Sequence, residues 1–198
     1  MCGAVFLALT VLVALSPGWS HGPDGWVSRG VVAAVGPHRT VRDVLVGLTW
    51  TGHPVVVDVL VLAAAGLLWW RGRVVTASAV VVAGLASLAA RELVKVLLDR
   101  PRPFPMLSTA TGGSFPSGHA AGAAFVGVTL AVLVRRVWAS VAGAVYALGV
   151  GATRVLLDVH WLTDVVAGLL LGATFALLLP DVQAQIGERL RKETLPDR

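Results

Sequence analysis

The sequence predicts an all-α, polytopic membrane protein, a helical bundle of six transmembrane helices. Of its 198 residues, 56% are hydrophobic and only 14% are charged, whereas a soluble domain carries about 25% charged residues. The apolar residues are gathered in six runs, which indicates several membrane spans rather than one soluble core. All seven tryptophans lie at or just outside the ends of these runs, as in the aromatic belts of membrane proteins.

The predicted spans are short, several of them only about 17 residues, the low end for crossing a hydrocarbon layer of ~30 Å. The first run lacks the basic residues that precede the core of a signal peptide, and Pro17 stands where cleavage would fall. We therefore expect it to be a retained span rather than a cleaved leader. The six spans cover approximately residues 2–19, 54–70, 74–94, 118–134, 137–157 and 161–180.

The segment after the first span, residues 20–53, is neither a span nor a plain loop. Its apolar residues, such as Val27 and Val31, recur at helical spacing beside charged residues such as Arg39 and Asp43. One or two helices lying flat in the membrane interface fit this pattern. An ordered external loop fits it equally well. Either alternative makes the segment external and interfacial.

The later spans are rich in small residues, and Gly168 and Gly172 have the spacing that allows close helix packing. We see no internal repeat and predict a single integral-membrane domain over residues 1–198, with a cytoplasmic tail at 181–198. The only cysteine, Cys2, excludes an internal disulfide and a cysteine-based metal site. The net charge of +5 comes from scattered basic residues, so we expect no nucleic-acid partner.

Basic residues predict the orientation of the bundle. They follow the second, fourth and sixth spans, three places that share one side of a six-span protein, and the positive-inside rule makes that side cytoplasmic. Residues 95–118 and 154–164 then lie on the extracytoplasmic face, which we expect to be that of a bacterial cell membrane. Three arginines of segment 20–53 fall outside against the rule. The residues that set the orientation are Arg71, Arg73, Arg135, Arg136, Arg189, Arg191 and Lys192.

Three short polar blocks interrupt the apolar pattern on that predicted face. In the first, Lys95 and Arg102 bracket the end of the third span, and Pro101 and Pro103 end any helix there. Lys95 could instead be a lysine that reaches out to the interface. Arg100 and Arg102 could simply be solvated.

The second block is Pro116-Ser117-Gly118-His119. Ser117 suits the N-cap of the fourth span, and Gly118 lets the backbone come close to a ligand. A helix that starts there directs free N–H groups outward, which favours an anion. His119 lies in its first turn. A lone histidine is usually structural, but one beside an anion-binding turn indicates function.

The third block contains Arg154, His160 and Asp164. The last two are spaced i, i+4 and share a helix face, so the carboxylate can orient the imidazole and leave its other nitrogen free to attack. An acid at the start of a span is costly without such a partner, and Arg154 can bind two phosphate oxygens. Three cations and two histidines suit a tetrahedral dianion, which predicts a membrane phosphatase.

In this order, Lys-x6-Arg-Pro, Pro-Ser-Gly-His and Arg-x5-His-x3-Asp resemble the motifs of the type 2 phosphatidic acid phosphatase superfamily. That superfamily takes in membrane lipid phosphatases, soluble bacterial acid phosphatases and vanadium haloperoxidases. The resemblance covers about residues 91–164 by motif. It departs at one position, where the family usually has Ser before the arginine of the third motif and this chain has Thr153. Because the hydroxyl is retained, we expect activity to survive.

The resemblance implies a role for each residue. His160 would attack phosphorus to give a phosphohistidine, with Asp164 orienting it, and His119 would protonate the leaving oxygen and then activate water. No cofactor and no metal are expected, because three cations can stabilise phosphoryl transfer. The phosphate oxygens would be held by Lys95, Arg102, Arg154, Ser117 and the Gly118 backbone N–H.

Three further acidic residues lie near the blocks or within a span. For Asp99 and Asp158 we expect a solvated or capping role. Asp58, near the start of the second span, fits an interfacial position and a functional one equally well.

A site at the membrane surface predicts a lipid phosphate or diphosphate as substrate: phosphatidate, phosphatidylglycerol phosphate or a polyprenyl diphosphate such as undecaprenyl diphosphate. The side chains of Phe104, Met106, Leu107 and Phe115 are expected to line an entry for its chains. Two alternatives stay open. One is a lipid phosphotransferase that uses the same intermediate, and the other is a transporter or structural membrane protein without catalysis. The oligomeric state also stays open.

Overall fold

The computed structural model describes residues 1–16, 22–179 and 184, and within them every regular element is helical. The predicted all-α class is confirmed for this part of the chain. In order, the elements are α1 (Cys2–Leu15), α2 (Pro23–Val35), α3 (Arg39–Thr49), a 3₁₀ turn (Trp50–Gly52), α4 (Pro54–Trp70), α5 (Val74–Leu98), α6 (Gly118–Val134), α7 (Val137–Leu156) and α8 (Leu162–Leu177). The predicted tail, residues 181–198, lies outside the described residues except for residue 184.

Each of the six predicted spans corresponds to one apolar helix. Among the described residues, three helical runs are long and apolar enough to cross a membrane, namely Arg39–Trp70, Val74–Leu98 and Val137–Leu156. The first of these runs joins α3, the 3₁₀ turn and α4. The remaining apolar helices, α1, α6 and α8, have 14, 17 and 16 residues. A polytopic helical architecture is therefore supported, while the count of six spans stays a prediction.

Glycines allow α6 to lie against both α7 and α8. A Cβ added to Gly127 would overlap the carbonyl oxygen of Gly143 on α7, and the reverse is also true. Gly168 and Gly172 of α8 face carbonyl oxygens in the first turns of α6 just as closely. The predicted close packing at these two glycines is confirmed, and it makes α6 the centre of the bundle.

The described part of segment 20–53, residues 22–53, contains two helices, α2 and α3, so the loop alternative is wrong. Val35 and Leu45, one from each helix, pack with the buried residues Leu157 and Val159 that follow α7. This contact fixes the two short helices against the connection between α7 and α8. Their position in the membrane interface stays a prediction.

The connections between helices separate the two ends of the bundle. Short turns join α4 to α5 at residues 71–73 and α6 to α7 at 135–136. At the opposite end, α5 and α7 finish, α6 and α8 begin, and the long connection 99–117 crosses the bundle. All three polar blocks therefore lie at one end, away from the arginines of the two short turns.

Candidate active site

Residues from all three polar blocks line a cavity of about 450 Å³ at this end of the bundle. The wall also includes the end of α3, the 3₁₀ turn and residues 108–111. Asp164 and Ser117 are buried directly behind the wall. The six predicted site residues that line the cavity are Lys95, Arg102, Gly118, His119, Arg154 and His160.

His160 lies between α7 and α8 with a side chain that is only 3% exposed. Its Nδ1 is 3.4 Å from Oδ2 of Asp164, four residues later. Its Nε2 lies 3.3 Å from Nη1 of Arg102, a residue that lines the cavity. Nδ1 thus faces the carboxylate, and Nε2 faces the guanidinium of Arg102 at the wall of the cavity.

Burial lowers the pKa of His160 to about 4. The Asp164 carboxylate acts in the opposite direction, and the cations of Arg102 and Arg154 add to the lowering. Burial also lowers the pKa of Arg102, against the pull of Asp164. His160 is therefore neutral at pH 7, the form whose free lone pair can attack phosphorus.

Asp164 divides its two oxygens between different partners. Oδ2 accepts the backbone N–H of Trp161 at 2.9 Å, which caps the start of α8. Oδ1 pairs with Nη1 of Arg100. The Arg100 side chain is 10% exposed, so the solvated interpretation of this arginine is wrong. The carboxylate that faces His160 is thus held by two further groups.

Backbone carbonyls hold the guanidinium of Arg102. It donates from Nε to Gly112 at 3.0 Å, from Nη2 to Thr111 at 2.8 Å and from Nη1 to Val159 at 2.6 Å. These bonds fix a planar fork at the wall of the cavity, so the solvated interpretation of Arg102 is also wrong. With the contacts to Gly113 and to Nε2 of His160, they engage all five N–H donors of the guanidinium, so Arg102 offers an anion in the cavity its positive charge rather than a free fork.

Arg154 is 6% exposed near the end of α7 and donates from Nη1 to Oγ1 of Thr49 at 3.0 Å. Its buried Nε has no hydrogen-bond partner among the described residues. A buried donor left unpaired costs about 1–3 kcal/mol, a cost that an anion in the cavity would offset. Thr153, at the departure from the family pattern, donates its hydroxyl to the carbonyl of Val150 at 2.6 Å.

Ser117 occupies the predicted N-cap position of α6, but its hydroxyl makes no capping bond. Within the described part of the chain, that buried oxygen has no partner. The backbone N–H of Ser117 instead donates to the carbonyl of Asp164 at 2.9 Å, which ties the second block to the third. Gly118 packs against Arg91, whose Nη1 would lie 2.8 Å from an added Cβ.

His119 lies opposite a second histidine that the sequence did not single out. The rings of His53 and His119 meet edge to face with centroids 6.0 Å apart. His53 also stacks on Trp50 at 4.6 Å, and its Nδ1 accepts the Val55 N–H at 3.3 Å. His53 directly precedes Pro54, the first residue of α4, and that position at a span end was the signal that could have identified it.

Two charged residues of α5 also line the cavity and were missed. Arg91 and Glu92 lie four and three residues before Lys95, so helical spacing places them near its face. Nε of Arg91 donates to Oε1 of Glu92 at 2.8 Å. The spacing from Lys95 was sufficient to predict both.

The three other acidic residues have different environments. Asp158 is 1% exposed, and burial raises its pKa although a hydrogen bond from Ser28 opposes the rise; a solvated role is therefore wrong. Asp99 occupies the C-cap of α5 with φ of 36°, which confirms a capping position. Asp58 is an exposed residue of α4 beside an apolar groove.

That groove, of about 270 Å³, runs between α4, α5 and α6. Its walls are mainly apolar, with Val57, Leu85 and Phe125 among them. It shares Arg91 and Gly118 with the cationic cavity. An apolar chain in the groove would therefore end next to the cluster of cations.

The connection 99–117 does not supply the apolar entry expected of it. Phe104 is 91% exposed, whereas Phe115 is fully buried in a cluster with residues of α1 and α8. Leu107 packs against the cluster that contains Val35 of α2 and Leu45 of α3. Met106 lines neither the apolar groove nor the cavity that holds the histidines. From this connection, residues 108–111 reach the cationic cavity instead.

Comparison with known proteins places these features in a family context. Residues 74–187 match the family model of the PAP2 superfamily. The chain is 27% identical over 203 residues to phosphatidylglycerophosphatase B of Bacillus subtilis (strain 168). That alignment covers 96% of this chain and 98% of the Bacillus protein. It is 31% identical over 111 residues to an undecaprenyl-diphosphatase of Sulfolobus acidocaldarius, with 52% and 53% covered. It is 33% identical over 124 residues to a lipid A 1-phosphatase of Rhizobium johnstonii, with 60% and 50% covered.

The chain thus matches about half the length of the archaeal and rhizobial relatives and nearly all of the Bacillus protein. Among solved structures, the transmembrane PAP2-type phosphatidylglycerolphosphate phosphatase from Bacillus subtilis has a TM-score of 0.80 at 24% identity. The match covers 93% of this chain and 95% of that one. At this identity the likeness shows a common fold, that of a transmembrane helical protein.

Proposed function

The chain belongs to the PAP2 superfamily, and from that premise we propose that it is a membrane lipid phosphatase acting on a lipid phosphate or diphosphate. The observation that carries the proposal is the cavity lined by Lys95, Arg102 and Arg154 together with His119 and His160. A cationic cavity of this kind favours a phosphate dianion over other ligands.

Phosphoryl transfer needs positioning and charge stabilisation more than covalent chemistry from the protein. The fixed positive charge of Arg102 and the unpaired Nε of Arg154 meet that need. Lys95 adds a third positive charge, and Ser117 with the Gly118 N–H would complete the binding of the phosphate oxygens. These three cations supply charge that metal ions supply in other phosphotransfer enzymes, so the proposed reaction uses no metal.

We assign the chemical steps to two histidines. Nε2 of His160 attacks phosphorus, and the bond between phosphorus and the lipid oxygen breaks. His119 gives its proton to that oxygen, which leaves a phosphohistidine and a free lipid alcohol, or a lipid monophosphate when the substrate is a diphosphate. His119 then takes a proton from a water molecule that attacks phosphorus, and inorganic phosphate leaves with His160 restored.

The apolar groove beside the cavity supports a lipid as the substrate. Because Arg91 and Gly118 belong to both walls, a headgroup could reach the cations while its chains stay in apolar surroundings. The names of the relatives point to phosphatidylglycerol phosphate and undecaprenyl diphosphate. We keep phosphatidate as the third candidate.

The test is phosphate release by the purified protein in phospholipid nanodiscs. Each of the three candidate lipids is offered separately, with and without chelator and with orthovanadate, which mimics the pentacoordinate transition state. We expect at least one lipid to lose phosphate, no effect of chelator and inhibition by vanadate. Folded protein that releases phosphate from none of them, or only with added Mg²⁺, would contradict the proposal. Phosphoryl groups found on an acceptor lipid would identify a transferase instead.

A further inference from the structure

Arg100 lies at the centre of a buried chain of ion pairs next to the site. Nη1 of Arg100 pairs with Oδ1 of Asp164, and Nη2 donates to Oδ2 of Asp24 at 2.8 Å. Asp24 belongs to α2 and Asp164 to α8, which are far apart in the sequence. The side chains are 10% exposed for Arg100, 1% for Asp24 and 0% for Asp164. The pairs are therefore shielded from solvent and from salt.

Asp24 is fixed independently of Arg100. Its Oδ1 accepts the backbone N–H of Thr163 at 3.0 Å, and its Oδ2 accepts the Thr163 hydroxyl at 2.5 Å. Helix α2 is thus bonded to the first turn of α8. Nη1 of Arg100 also donates to that hydroxyl at 2.8 Å, so Thr163 links all three charged groups.

Trp161 encloses the arginine from a third side. Its ring centroid lies 5.6 Å from the guanidinium carbon of Arg100, within the range of a cation–π contact. Its indole N–H donates to the carbonyl of Pro101 at 2.8 Å. This contact explains why Trp161 is buried although the other described tryptophans are exposed. Arg100 consequently has one orientation available to it.

That orientation decides which oxygen of Asp164 meets His160. With Oδ1 bound to Arg100 and Oδ2 bound to the Trp161 N–H, the carboxylate cannot rotate, and Oδ2 stays 3.4 Å from Nδ1 of His160. We propose that Arg100 and Asp24 are positioning residues for the hydrolysis: they hold Asp164 so that it orients the imidazole of His160. The inference rests on the proposed function, in which His160 is the nucleophile.

The proposal predicts a particular change in kinetics for Arg100→Gln. The imidazole loses its orientation, and a misplacement of about 1 Å costs about 100-fold in rate, so we expect kcat to fall about 100-fold with little change in KM. The carboxylate of Asp164, freed from Arg100, then acts more strongly on His160. An opposite charge at this range raises a histidine pKa by about one unit or more, so the acid limb of kcat/KM should move upward by about one pH unit.

Other groups around His160 stay constant in this comparison. They are Arg102 from the connection 99–117, Arg154 from α7 and His119 from α6. Arg100→Lys keeps a charge but offers no fork and should recover only part of kcat. Asp24→Asn keeps the shape of the side chain. It should also move the acid limb of kcat/KM upward, by less than Arg100→Gln does. Arg39→Gln is the matched control, because its pair with Asp43 on α3 is exposed.

A double-mutant cycle separates positioning from general stability. If Arg100 acts through Asp164, then Arg100→Gln costs little further kcat in an Asp164→Asn background, because the two losses share one cause. If the double variant instead shows the product of the two single-variant losses in kcat, the proposal is overturned. An acid limb that stays in place in folded Arg100→Gln and Asp24→Asn variants would overturn it as well.

A measurement without substrate keeps this test apart from the test of the function. The His160 ring is titrated by NMR in the full-length wild-type protein, in Arg100→Gln and in Asp24→Asn, and thermal unfolding is recorded for each. An upward shift of about one pH unit in Arg100→Gln supports the positioning role even if no lipid is turned over. If the His160 ring titrates at the same pH in folded wild-type, Arg100→Gln and Asp24→Asn protein, the positioning role is overturned. Absence of turnover in the wild type counts against the proposed function alone.

Discussion

At the residue scale, the site keeps one imidazole uncharged among several charges. His160 is 3% exposed, and the loss of hydration outweighs the attraction of Asp164 for a proton. Arg102 and Arg154 add repulsion that a bound phosphate would relieve. In the proposed mechanism their positive charge would bind the phosphate dianion, and it also favours the neutral form of His160.

The first prediction concerns the proposed nucleophile. Replacing His160 with Ala should abolish phosphate release, a loss of at least about 1,000-fold, because no other group can form the phosphoenzyme. The fold should survive, as measured by circular dichroism. His38→Ala is the matched control, since that exposed histidine precedes α3 away from the cavity. Retention of a tenth of the activity in His160→Ala would rule out the nucleophile assignment.

The second prediction concerns pH. Because the pKa of His160 is lowered from 6.5 to about 4, the ring is neutral and reactive above pH 4 and becomes protonated below it. We expect kcat/KM to fall tenfold per pH unit below about 4. The profile of kcat/KM against pH for the wild-type protein checks this. An acid limb near the ordinary histidine value, or a flat profile, would contradict it.

The sequence indicated most of the groups that line the cavity but not the groups behind them. Lys95, Arg102 and the histidines stand in spacings that carry chemistry by themselves. The pair of Arg100 and Asp24 joins residues 76 positions apart, and nothing local distinguishes either residue from a solvated charge. Burial decides that question, and burial depends on how α2 packs against α8.

At the scale of helices, close approach around α6 sets the shape of the cavity. His119 lies in the first turn of α6 and Arg154 in the last turn of α7, so the separation of these helices fixes the distance between the two side chains. Gly127 and Gly143 permit that separation because each faces the backbone of the other helix. Any side chain at either position would push the helices apart.

The third prediction compares two glycines in the bundle. Gly127→Ala should destabilise the protein by about 2 kcal/mol, because the added methyl overlaps the Gly143 carbonyl in a packed core. Gly149→Ala should be neutral or stabilising, since no described atom lies within 4 Å of its added Cβ and alanine favours a helix by about 1 kcal/mol. Thermal unfolding of the two variants in one detergent gives the comparison. Equal stabilities would contradict the packing argument.

Prediction at this scale located the long apolar helices and left two alternatives open for the short helices α2 and α3. The runs that became α4 to α8 were located within a few residues, because apolar length alone identifies them. The choice between loop and helix for α2 and α3 was left open, since helices of 13 and 11 residues depend on tertiary contacts. Val35 and Leu45 provide those contacts by packing beside α7.

At the scale of the whole molecule, charge is divided between two ends with different roles. The short turns carry Arg71, Arg73, Arg135 and Arg136, all of them exposed. The opposite end carries the cations of the cavity, which are half-buried or buried, and hydrogen bonds fix its arginines Arg91, Arg102 and Arg154. Since the positive-inside rule acts on exposed loop residues, the first end predicts the cytoplasmic side. We therefore propose that the cavity opens on the extracytoplasmic face.

The last prediction tests this orientation in intact bacterial cells. With Cys2 replaced by Ser, a cysteine is placed either at Phe104, which is 91% exposed near the cavity, or at Val137, which is 82% exposed at the opposite end. A membrane-impermeant maleimide should label Phe104→Cys in whole cells and Val137→Cys only after lysis, because both residues are exposed but on different sides. The arginines that determine orientation are untouched in both variants. Labelling of Val137→Cys alone in whole cells would place the cavity on the cytoplasmic face, where the enzyme would meet lipid phosphates of the inner leaflet.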